Sequence, residues 1–229
     1  MWFGKDEPPY VRFAIDSFGK VNPDFEINFV RVENPKESDN LDIVECMKEL
    51  EDETSKYYRI FHSPHFEKCE GRNETMFNVP FSDAFRIFLL DTYGGIYLDC
   101  DTFPTKRFDD RILDMDYFQS QSKWSKNAVL PDVYFIGVKP GHEANTHYVL
   151  RDKSRKSEMP YLMSLDDGTR ITSEWKTLNS KFRQCKIIFG ESYRNDKDTY
   201  INHFCLKGDE GWWHTVQRLK KKLFEAGNR

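Results

Sequence analysis

The sequence predicts one α/β domain, in which helices alternate with the strands of a central sheet. Segments whose apolar residues recur at helical spacing alternate with short apolar runs that are typical of buried strands. The 229 residues are enough to bury a sizeable core. Because no repeat or low-complexity linker divides the chain, we expect a single domain over residues 1–229.

The composition restricts the possible classes of function. A formal net charge of −4 argues against a general nucleic-acid-binding protein. No apolar run reaches the roughly 20 residues that a membrane span needs, and no signal peptide is recognisable. The five cysteines include no CxxC pair, which is typical of free thiols in a reducing compartment. We therefore expect a cytoplasmic protein.

The first part of the chain predicts a helix, a strand and a second helix. The dipeptide Pro8-Pro9 is suited to a helix start, and Asn22-Pro23 ends the helical pattern that follows. The segment FEINFVRV, residues 25–32, alternates apolar and polar residues and predicts a strand. The segment LDIVECMKEL, residues 41–50, has apolar residues on one helical face and predicts an amphipathic helix.

A buried helix followed at once by a strand is predicted at the centre of the chain. Ser82 is a good N-cap, and Asp83 favours the positive end of the helix dipole. The interior of this helix is almost continuously apolar, so we expect it to be buried. Gly94 can adopt the left-handed conformation that ends a helix, and the strand IYLDCD, residues 96–101, follows.

Two later segments complete the predicted α/β pattern. Residues 133–138 predict a strand that precedes a Pro-Gly turn. Residues 211–229 predict a helix with one apolar face and the basic run 220–222 opposite. Such a face can make a peripheral contact with anionic lipid at the inner side of a membrane, although more often its lysines are simply solvated.

Two aspartates end the predicted central strand. Alternate side chains of a strand share a face, so Asp99 and Asp101 are expected to point the same way, with Cys100 pointing the other way. Like charges placed side by side destabilise a strand, whereas hard divalent cations prefer carboxylate oxygens. Ligands of open α/β sheets bind at the carboxyl ends of the strands. The pair therefore indicates a site that presents a divalent cation to a diphosphate.

The predicted central helix carries a charged pair close to these aspartates. Asp83 and Arg86 are three residues apart and therefore share a helix face. An exposed salt bridge near a helix start is the common explanation for such a pair. In a helix that leads into an acidic pair, the alternative is an arginine that binds phosphate or sugar hydroxyls.

The segment SDAFRIFLLDTYGGIYLDCDTFP, residues 82–104, resembles the signature of the Asp-x-Asp glycosyltransferases. This family includes capsular polysaccharide synthesis enzymes, fungal initiating mannosyltransferases and the glucosylating domain of large clostridial toxins. The segments WFGKDEPP (residues 2–9) and NPDFEINFV (22–30) are similar to the family's first two strands. The segment YINHFCLKGDEGWW, residues 200–213, is similar to its closing His-then-Trp element.

The resemblance implies a GT-A fold, a Rossmann-like nucleotide-sugar-binding domain with a mixed central sheet. It implies a retaining, metal-dependent hexosyltransferase of polysaccharide biosynthesis that uses Mn²⁺ or Mg²⁺. The donor is a nucleotide diphosphate sugar, for which we expect UDP-hexose before GDP-mannose. The acceptor is a hydroxyl of a glycan or glycolipid.

The resemblance also implies which residues form the catalytic centre. Asp83 and Arg86 would hold the donor sugar and diphosphate, and Asp99 would contact the ribose or the donor sugar. The metal would be bound directly by Asp101, with Asp99 and His203 as further ligands. The expected catalytic set is therefore Asp83, Arg86, Asp99 and Asp101.

The two ends of the sequence are expected to meet over the donor. By resemblance, Trp2 would stack on the nucleobase, while His203 and Trp212 would close over the diphosphate. The family's closing element usually reads Ser-Trp, whereas this chain has Gly211 followed by Trp212 and Trp213. Either tryptophan can correspond to the family's residue.

Two rival functions and one rival metal site remain open. An aspartyl-phosphate phosphatase would use Asp99 as nucleophile and Asp101 as acid/base, but its motif has Thr or Val where Phe103 stands. A non-catalytic, metal-dependent sugar-binding module would need no arginine beside the carboxylates. The segment HSPHFEKC, residues 62–69, places two histidines (62 and 65) and Cys69 together, which is a weak zinc pattern without a fourth ligand.

Overall fold

The computed structural model describes residues 1–62, 75–104, 106–114, 117–125, 128–141, 185–189 and 200–203. The elements of these residues, in chain order, are β1 (Trp2–Phe3), α1 (Pro9–Val21), β2 (Arg31–Val32), a 3₁₀ turn (Pro35–Glu37), α2 (Leu41–Glu51), α3 (Lys56–Phe61), α4 (Thr75–Tyr93), β3 (Gly95–Leu98), β4 (Thr102–Pro104), α5 (Asp110–Leu113), β5 (Tyr117–Ser125), β6 (Ala128–Val138), β7 (Cys185–Phe189) and β8 (Ile201–His203). Helices and strands are mixed along the chain, which confirms the predicted α/β class.

The first two predicted helices begin and end close to their sequence signals. Helix α1 begins at Pro9, and after its last residue the Asn22 N–H donates to the Phe18 carbonyl oxygen at 2.8 Å. Helix α2 follows Asn40, whose side-chain oxygen accepts hydrogen bonds from the Asp42 and Ile43 N–H groups. The side-chain cap satisfies donors that a helix start otherwise leaves unpaired.

Helix α4 is longer than predicted. It begins at Thr75, seven residues before Ser82, and contains Pro80. The rings of Phe77 and Phe81 stack at a centroid distance of 5.9 Å, so the apolar face that is buried against the core starts well before Ser82. The predicted N-cap at Ser82 is therefore wrong. Because this apolar face is buried, the helix extends further towards the N-terminus and includes Pro80.

Helix α4 ends where the sequence predicts, but the prediction that Asp83 lies at the positive end of the helix dipole is wrong. Asp83 lies in the middle of the helix, where the terminal dipole is not felt. Gly94 has φ +67° and donates its N–H to the Leu90 carbonyl oxygen at 3.0 Å. A Cβ on Gly94 would lie 2.4 Å from the Cδ of Pro140, so both the backbone conformation and the space require glycine.

The largest sheet of the described residues is mixed and has the strand order β3-β6-β5-β7. Strand β6 is antiparallel to both β3 and β5, and β7 is parallel to β5. Two short pairs accompany this sheet: β1 is parallel to β2, and β4 is antiparallel to β8. The strand predicted at residues 133–138 is confirmed as the end of β6.

Two predicted strands are shorter in the structure. Of residues 25–32 only Arg31 and Val32 form a strand, because β1 offers a partner only there. Phe25 instead packs edge-on against Phe108, with ring centroids 5.8 Å apart. The central strand ends at Leu98, before both aspartates.

The buried side chains of the described residues form three clusters. One cluster joins α2, α3, α4 and β6, and a second surrounds Phe108 and Phe135. The third consists of Tyr10, Val11, Ala14 and Phe103, and holds α1 against β4. Because β4 follows Asp101 directly, this third cluster fixes the position of the acidic segment. Among the described helices, none has the length and apolar character to cross a bilayer.

Candidate active site

The two aspartates lie in a turn between β3 and β4. The Asp99 N–H continues the sheet by donating to the Tyr134 carbonyl oxygen at 3.0 Å. The Asp99 carbonyl oxygen then accepts hydrogen bonds from the N–H and the hydroxyl of Thr102, at 3.1 Å and 2.5 Å. The expectation that strand alternation orients Asp99 and Asp101 is therefore wrong. The turn orients them, and both residues are partly exposed.

Arg86 joins the acidic turn to α4. Its Nη2 lies 2.9 Å from Asp83 Oδ1, and its Nη1 lies 3.5 Å from Asp99 Oδ1. The guanidinium also donates to the carbonyl oxygen and the hydroxyl of Ser82, at 3.2 Å and 3.0 Å. The Arg86 side chain is only 6% exposed and that of Asp83 11%. The explanation of this pair as a surface salt bridge is therefore wrong.

Tyr97 holds Asp99 from the other side, a contact that sequence reasoning missed. Its hydroxyl donates to Asp99 Oδ1 at 2.8 Å, and its ring centroid lies 4.6 Å from the guanidinium carbon of Arg86. Burial raises the pKa of Tyr97 well above its ordinary value, and the nearby Asp99 raises it further. Tyr97 therefore remains a protonated donor. Its position two residues before Asp99, on an apolar strand, is the signal that could have revealed it.

Trp2 and Tyr10 border the acidic turn on the α1 side. The Trp2 indole N–H donates to the Asp6 carbonyl oxygen at 3.1 Å, and its ring meets that of Tyr10 edge-on at 6.2 Å. Burial raises the pKa of Tyr10 to about 12, with smaller contributions from Cys100 and Asp101. Trp2 thus lies one aromatic ring away from the turn. Tyr10 is a second residue of this region that the sequence analysis did not single out.

The backbone of His203 lies beside the acidic turn, although the sequence separates the two by about 100 residues. In the β4–β8 pair, His203 is opposite Thr102, the residue that follows Asp101. Opposite residues of an antiparallel pair have Cα atoms roughly 4.5–5.5 Å apart. The His203 side chain and the whole of Trp212 lie outside the described residues. Their part in donor binding stays a prediction.

The charges around the turn suit a divalent cation. Asp83 and Asp99 contact the Arg86 guanidinium, and Asp101 adds a third carboxylate two residues after Asp99 in the turn. Within the described ranges, no cluster of three or more His, Cys, Asp or Glu residues has the arrangement of a metal site. Mg²⁺ is nevertheless usually held by one or two protein carboxylates together with waters and substrate phosphates. Two carboxylates in a partly exposed turn fit that pattern.

The zinc pattern is outside most of what the structure describes. The His62 ring packs on Tyr58 and Phe61, at centroid distances of 4.2 Å and 4.9 Å. Residues 63–74, which include His65 and Cys69, lie outside the described residues, as does the predicted helix at 211–229.

Comparison with known protein families identifies this region. The model of the glycosyltransferase sugar-binding region containing the DXD motif matches residues 8–119, a range that contains α4, the acidic turn and Tyr10. Residues 8–119 are therefore similar to the sugar-binding region of the DXD glycosyltransferases, which supports a glycosyltransferase enzyme. The predicted resemblance and the predicted enzyme class are thereby confirmed, and a transferase is favoured over a phosphatase or a non-catalytic sugar-binding module.

More distant comparisons add little to this identification. Among solved structures, this chain is similar to the PaToxG glycosyltransferase, with 16% sequence identity and a TM-score of 0.41. The match covers 79% of this chain and 71% of that one. The likeness is too distant to assign residue roles. A comparison with curated proteins gave no significant match.

Proposed function

We propose that residues 1–229 form one GT-A domain that transfers a hexose from a nucleotide diphosphate sugar to a hydroxyl of a glycan or glycolipid. UDP-hexose is the preferred donor and GDP-mannose the second candidate. The observation that carries this proposal is the buried Asp83–Arg86 pair, which contacts the partly exposed Asp99 beside Asp101 within a DXD sugar-binding region.

The structure supports different tasks for the two aspartates of the motif. Asp99 is fixed by Arg86 and Tyr97, so its carboxylate has a defined position from which to accept ribose or sugar hydroxyls. Asp101 lies two residues further along the turn and would be the direct ligand of Mn²⁺ or Mg²⁺, together with Asp99 and His203. When bound, such an ion stabilises negative charge on a leaving diphosphate.

The remaining residues would position the donor. Asp83 would accept hydroxyl groups of the donor sugar, and the positive charge of Arg86 would favour the diphosphate over a neutral ligand. Trp2 would stack on the nucleobase, while His203 and Trp212 would cover the diphosphate. With the donor held in this way, water is excluded and the acceptor hydroxyl meets the sugar in one orientation.

We further propose that the reaction retains the anomeric configuration. The bond between the anomeric carbon and the diphosphate oxygen breaks, and a bond to the acceptor oxygen forms on the same face. The proton of the acceptor hydroxyl passes to an oxygen of the leaving diphosphate, so no covalent protein nucleophile is required. This part of the proposal rests on the family resemblance.

The location of the enzyme is also a proposal. The cysteines, which include no CxxC pair, support a cytoplasmic protein, and a peripheral contact with the inner face of a membrane would be made by the basic run at 220–222. Binding to vesicles with and without anionic lipid would measure this contact.

A thermal-shift panel tests the proposed donor. Wild-type protein is titrated with UDP-, GDP- and ADP-sugars, each with and without Mn²⁺, because a ligand that binds only the folded state raises the melting temperature. We expect a Mn²⁺-dependent shift with one UDP-hexose and slow hydrolysis of that donor. Binding without any hydrolysis would favour the sugar-binding module, and hydrolysis of a simple aryl phosphate would favour the phosphatase.

Two matched variants locate the proposed metal ligand. Asp101→Asn should abolish turnover and the Mn²⁺-dependent shift in melting temperature. Without ligand, its melting temperature should be near that of the wild type. Asp114→Asn makes the same chemical change at an exposed position after α5 and should alter nothing. Near-normal turnover of the Asp101 variant would show that the metal is held elsewhere.

A further inference from the structure

Tyr200 connects β8 with residues 106–109, which follow β4 and the acidic turn. It immediately precedes β8, and its side chain is buried, with 4% exposure. Its hydroxyl donates to Asp109 Oδ1 at 2.6 Å, and the Lys106 Nζ lies 4.1 Å from its ring centroid. The Phe108 ring meets it edge-on at 6.2 Å. Three of the four residues at 106–109 therefore contact this one side chain.

These contacts lie at the base of the strand that carries His203. Ile201 is opposite Pro104 and His203 is opposite Thr102, so β8 runs from the Tyr200 anchor towards the acidic turn. A two-stranded pair of three residues each is marginal by its backbone hydrogen bonds alone. Side-chain contacts must therefore hold β8 in this register.

The contacts of Tyr200 combine apolar packing with directional interactions, which suits a residue that fixes the register of β8. The rings of Tyr200 and Phe108, together with the fully buried Ile201, belong to one apolar cluster. The hydroxyl bond to Asp109 adds a directional restraint that apolar packing lacks, because a carboxylate accepts such a bond only over a narrow range of geometry. The ammonium of Lys106 over the ring adds a cation–π contact from a second direction.

We propose that Tyr200 is a positioning residue for donor binding. Through Asp109 and Lys106 it holds β8 in the register that places His203 next to the acidic turn, and it does not itself contact the donor. This inference rests on the proposed function, because it assigns Tyr200 to the element expected to close over the diphosphate. If β8 is docked for only a fraction of the time, the apparent donor affinity falls by that fraction.

Removal of the hydroxyl alone tests the directional restraint. Tyr200→Phe keeps the ring and removes the hydroxyl that donates to Asp109. A hydrogen bond to a charged group contributes roughly tenfold or more to an equilibrium, so its loss should weaken the docking of β8 by about that factor, and donor Kd should rise by no more than the same factor. The turnover number at saturating donor should change by less than twofold, because the docked state is unaltered.

Tyr57→Phe is the matched control. Tyr57 is also buried and also donates its hydroxyl to an aspartate, Asp91, at 2.7 Å, but it lies in α3 and away from the acidic turn. It should lose stability as Tyr200→Phe does and yet bind the donor as the wild type does. A general loss of packing would affect donor Kd equally in the two variants.

A double-mutant cycle separates positioning from simple stabilisation. Donor Kd is measured by calorimetry with Mn²⁺ for wild type, Tyr200→Phe, His203→Ala and the double variant. We expect Tyr200→Phe to weaken binding in the wild-type background and to have less than a twofold effect when His203 is already alanine. Effects that simply multiply would overturn the proposal. If Tyr200→Phe does not fold, Asp109→Asn, which removes the charged acceptor, replaces it in the cycle.

The same measurements distinguish failure of this inference from failure of the proposed function. If the wild type binds no nucleotide sugar with Mn²⁺, both fail. If His203→Ala binds as the wild type does, the closing element is wrongly assigned and Tyr200 has nothing to position. If His203→Ala weakens binding and Tyr200→Phe does not, the inference about Tyr200 alone is refuted.

Discussion

Replacement of Arg86 by lysine is the sharpest test of how the site is organised. Lysine keeps the positive charge but presents one nitrogen, whereas the guanidinium of Arg86 reaches Asp83 at 2.9 Å, Asp99 at 3.5 Å and two oxygens of Ser82. It also lies 4.6 Å from the ring centroid of Tyr97. A single ammonium cannot satisfy two carboxylates and retain this stacking. We therefore expect the carboxylates to lose their fixed relative position.

The size of the effect follows from the contacts that are lost. Lysine forfeits at least two hydrogen bonds, each of about 1 kcal/mol, and a cation–π contact of similar size. Complete removal of one partner from a buried ion pair costs about 3–5 kcal/mol, which sets the upper limit. We expect Arg86→Lys to lower the free energy of unfolding by about 2–4 kcal/mol. Turnover should fall by roughly 10²-fold, the usual loss when one preorganised donor is removed.

Chemical denaturation and a donor-turnover assay measure the two quantities on the same protein samples. The matched control is Arg12→Lys, the same substitution in an ion pair with Asp16 whose side chains are 74% and 51% exposed. Exposed pairs contribute little, so this variant should lie within about 0.5 kcal/mol of the wild type and turn over normally. If both variants behave alike, burial does not give Arg86 the importance that its contacts suggest.

The other predictions concern the borders of the site. Gly94→Ala should destabilise the protein more than Gly141→Ala, although both glycines have positive φ. A Cβ on Gly94 would clash with Pro140, whereas a Cβ on Gly141 has nothing within 4 Å. Equal melting temperatures for the two variants would refute the steric argument. Burial raises the pKa of Tyr10 to about 12 from 10.0, so its contribution to stability is complete below pH 10 and is lost between pH 10 and 12. Tyr10→Phe should flatten that loss by up to about 1.4 kcal/mol per pH unit in denaturation at pH 9 and 11, and an unchanged decline would contradict it. Trp2→Ala should weaken donor binding by roughly 1–3 kcal/mol with Trp2→Phe in between, and calorimetry that finds wild-type affinity in both would exclude base stacking.

The sequence predicts those parts of the fold that local chemistry decides. The start of α1 at Pro9, the cap of α2 at Asn40 and the left-handed Gly94 each depend on a few neighbouring atoms. The strand at residues 25–32 is mostly wrong because a strand also needs a partner, and β1 pairs only with Arg31 and Val32. Alternation of apolar residues reports burial on one side but not the presence of a neighbouring strand.

The candidate site shows the same division between local and distant causes. The spacing of Asp83 and Arg86 predicted a shared helix face, and the family resemblance grouped them with Asp99 and Asp101; the structure shows Arg86 in contact with Asp83 and Asp99. Helix α4 begins earlier than its polar signals indicate, because phenylalanine stacking in the core outweighs the helix-breaking tendency of a proline. Tyr97 was missed because an aromatic residue in an apolar strand is ordinarily explained by packing.

The protein contacts of Asp99 suggest why the motif carries two aspartates and not one. Asp99 accepts from Tyr97 and faces Arg86, whose side chain is almost wholly enclosed, so its carboxylate is stabilised before any ligand arrives. A carboxylate held in this way is a precise hydrogen-bond acceptor, but its Oδ1 is already engaged by protein donors. A metal that must exchange its waters for substrate phosphates also needs a carboxylate with access to solvent, and both Asp99 and Asp101 are partly exposed in the turn. The intervening Cys100 packs towards α1, and its pKa is raised to about 12 chiefly by burial. The turn is therefore anchored at Cys100, and Asp99 and Asp101 on either side of it are left to act differently. Two carboxylates on the same face of one strand could not be separated in this way.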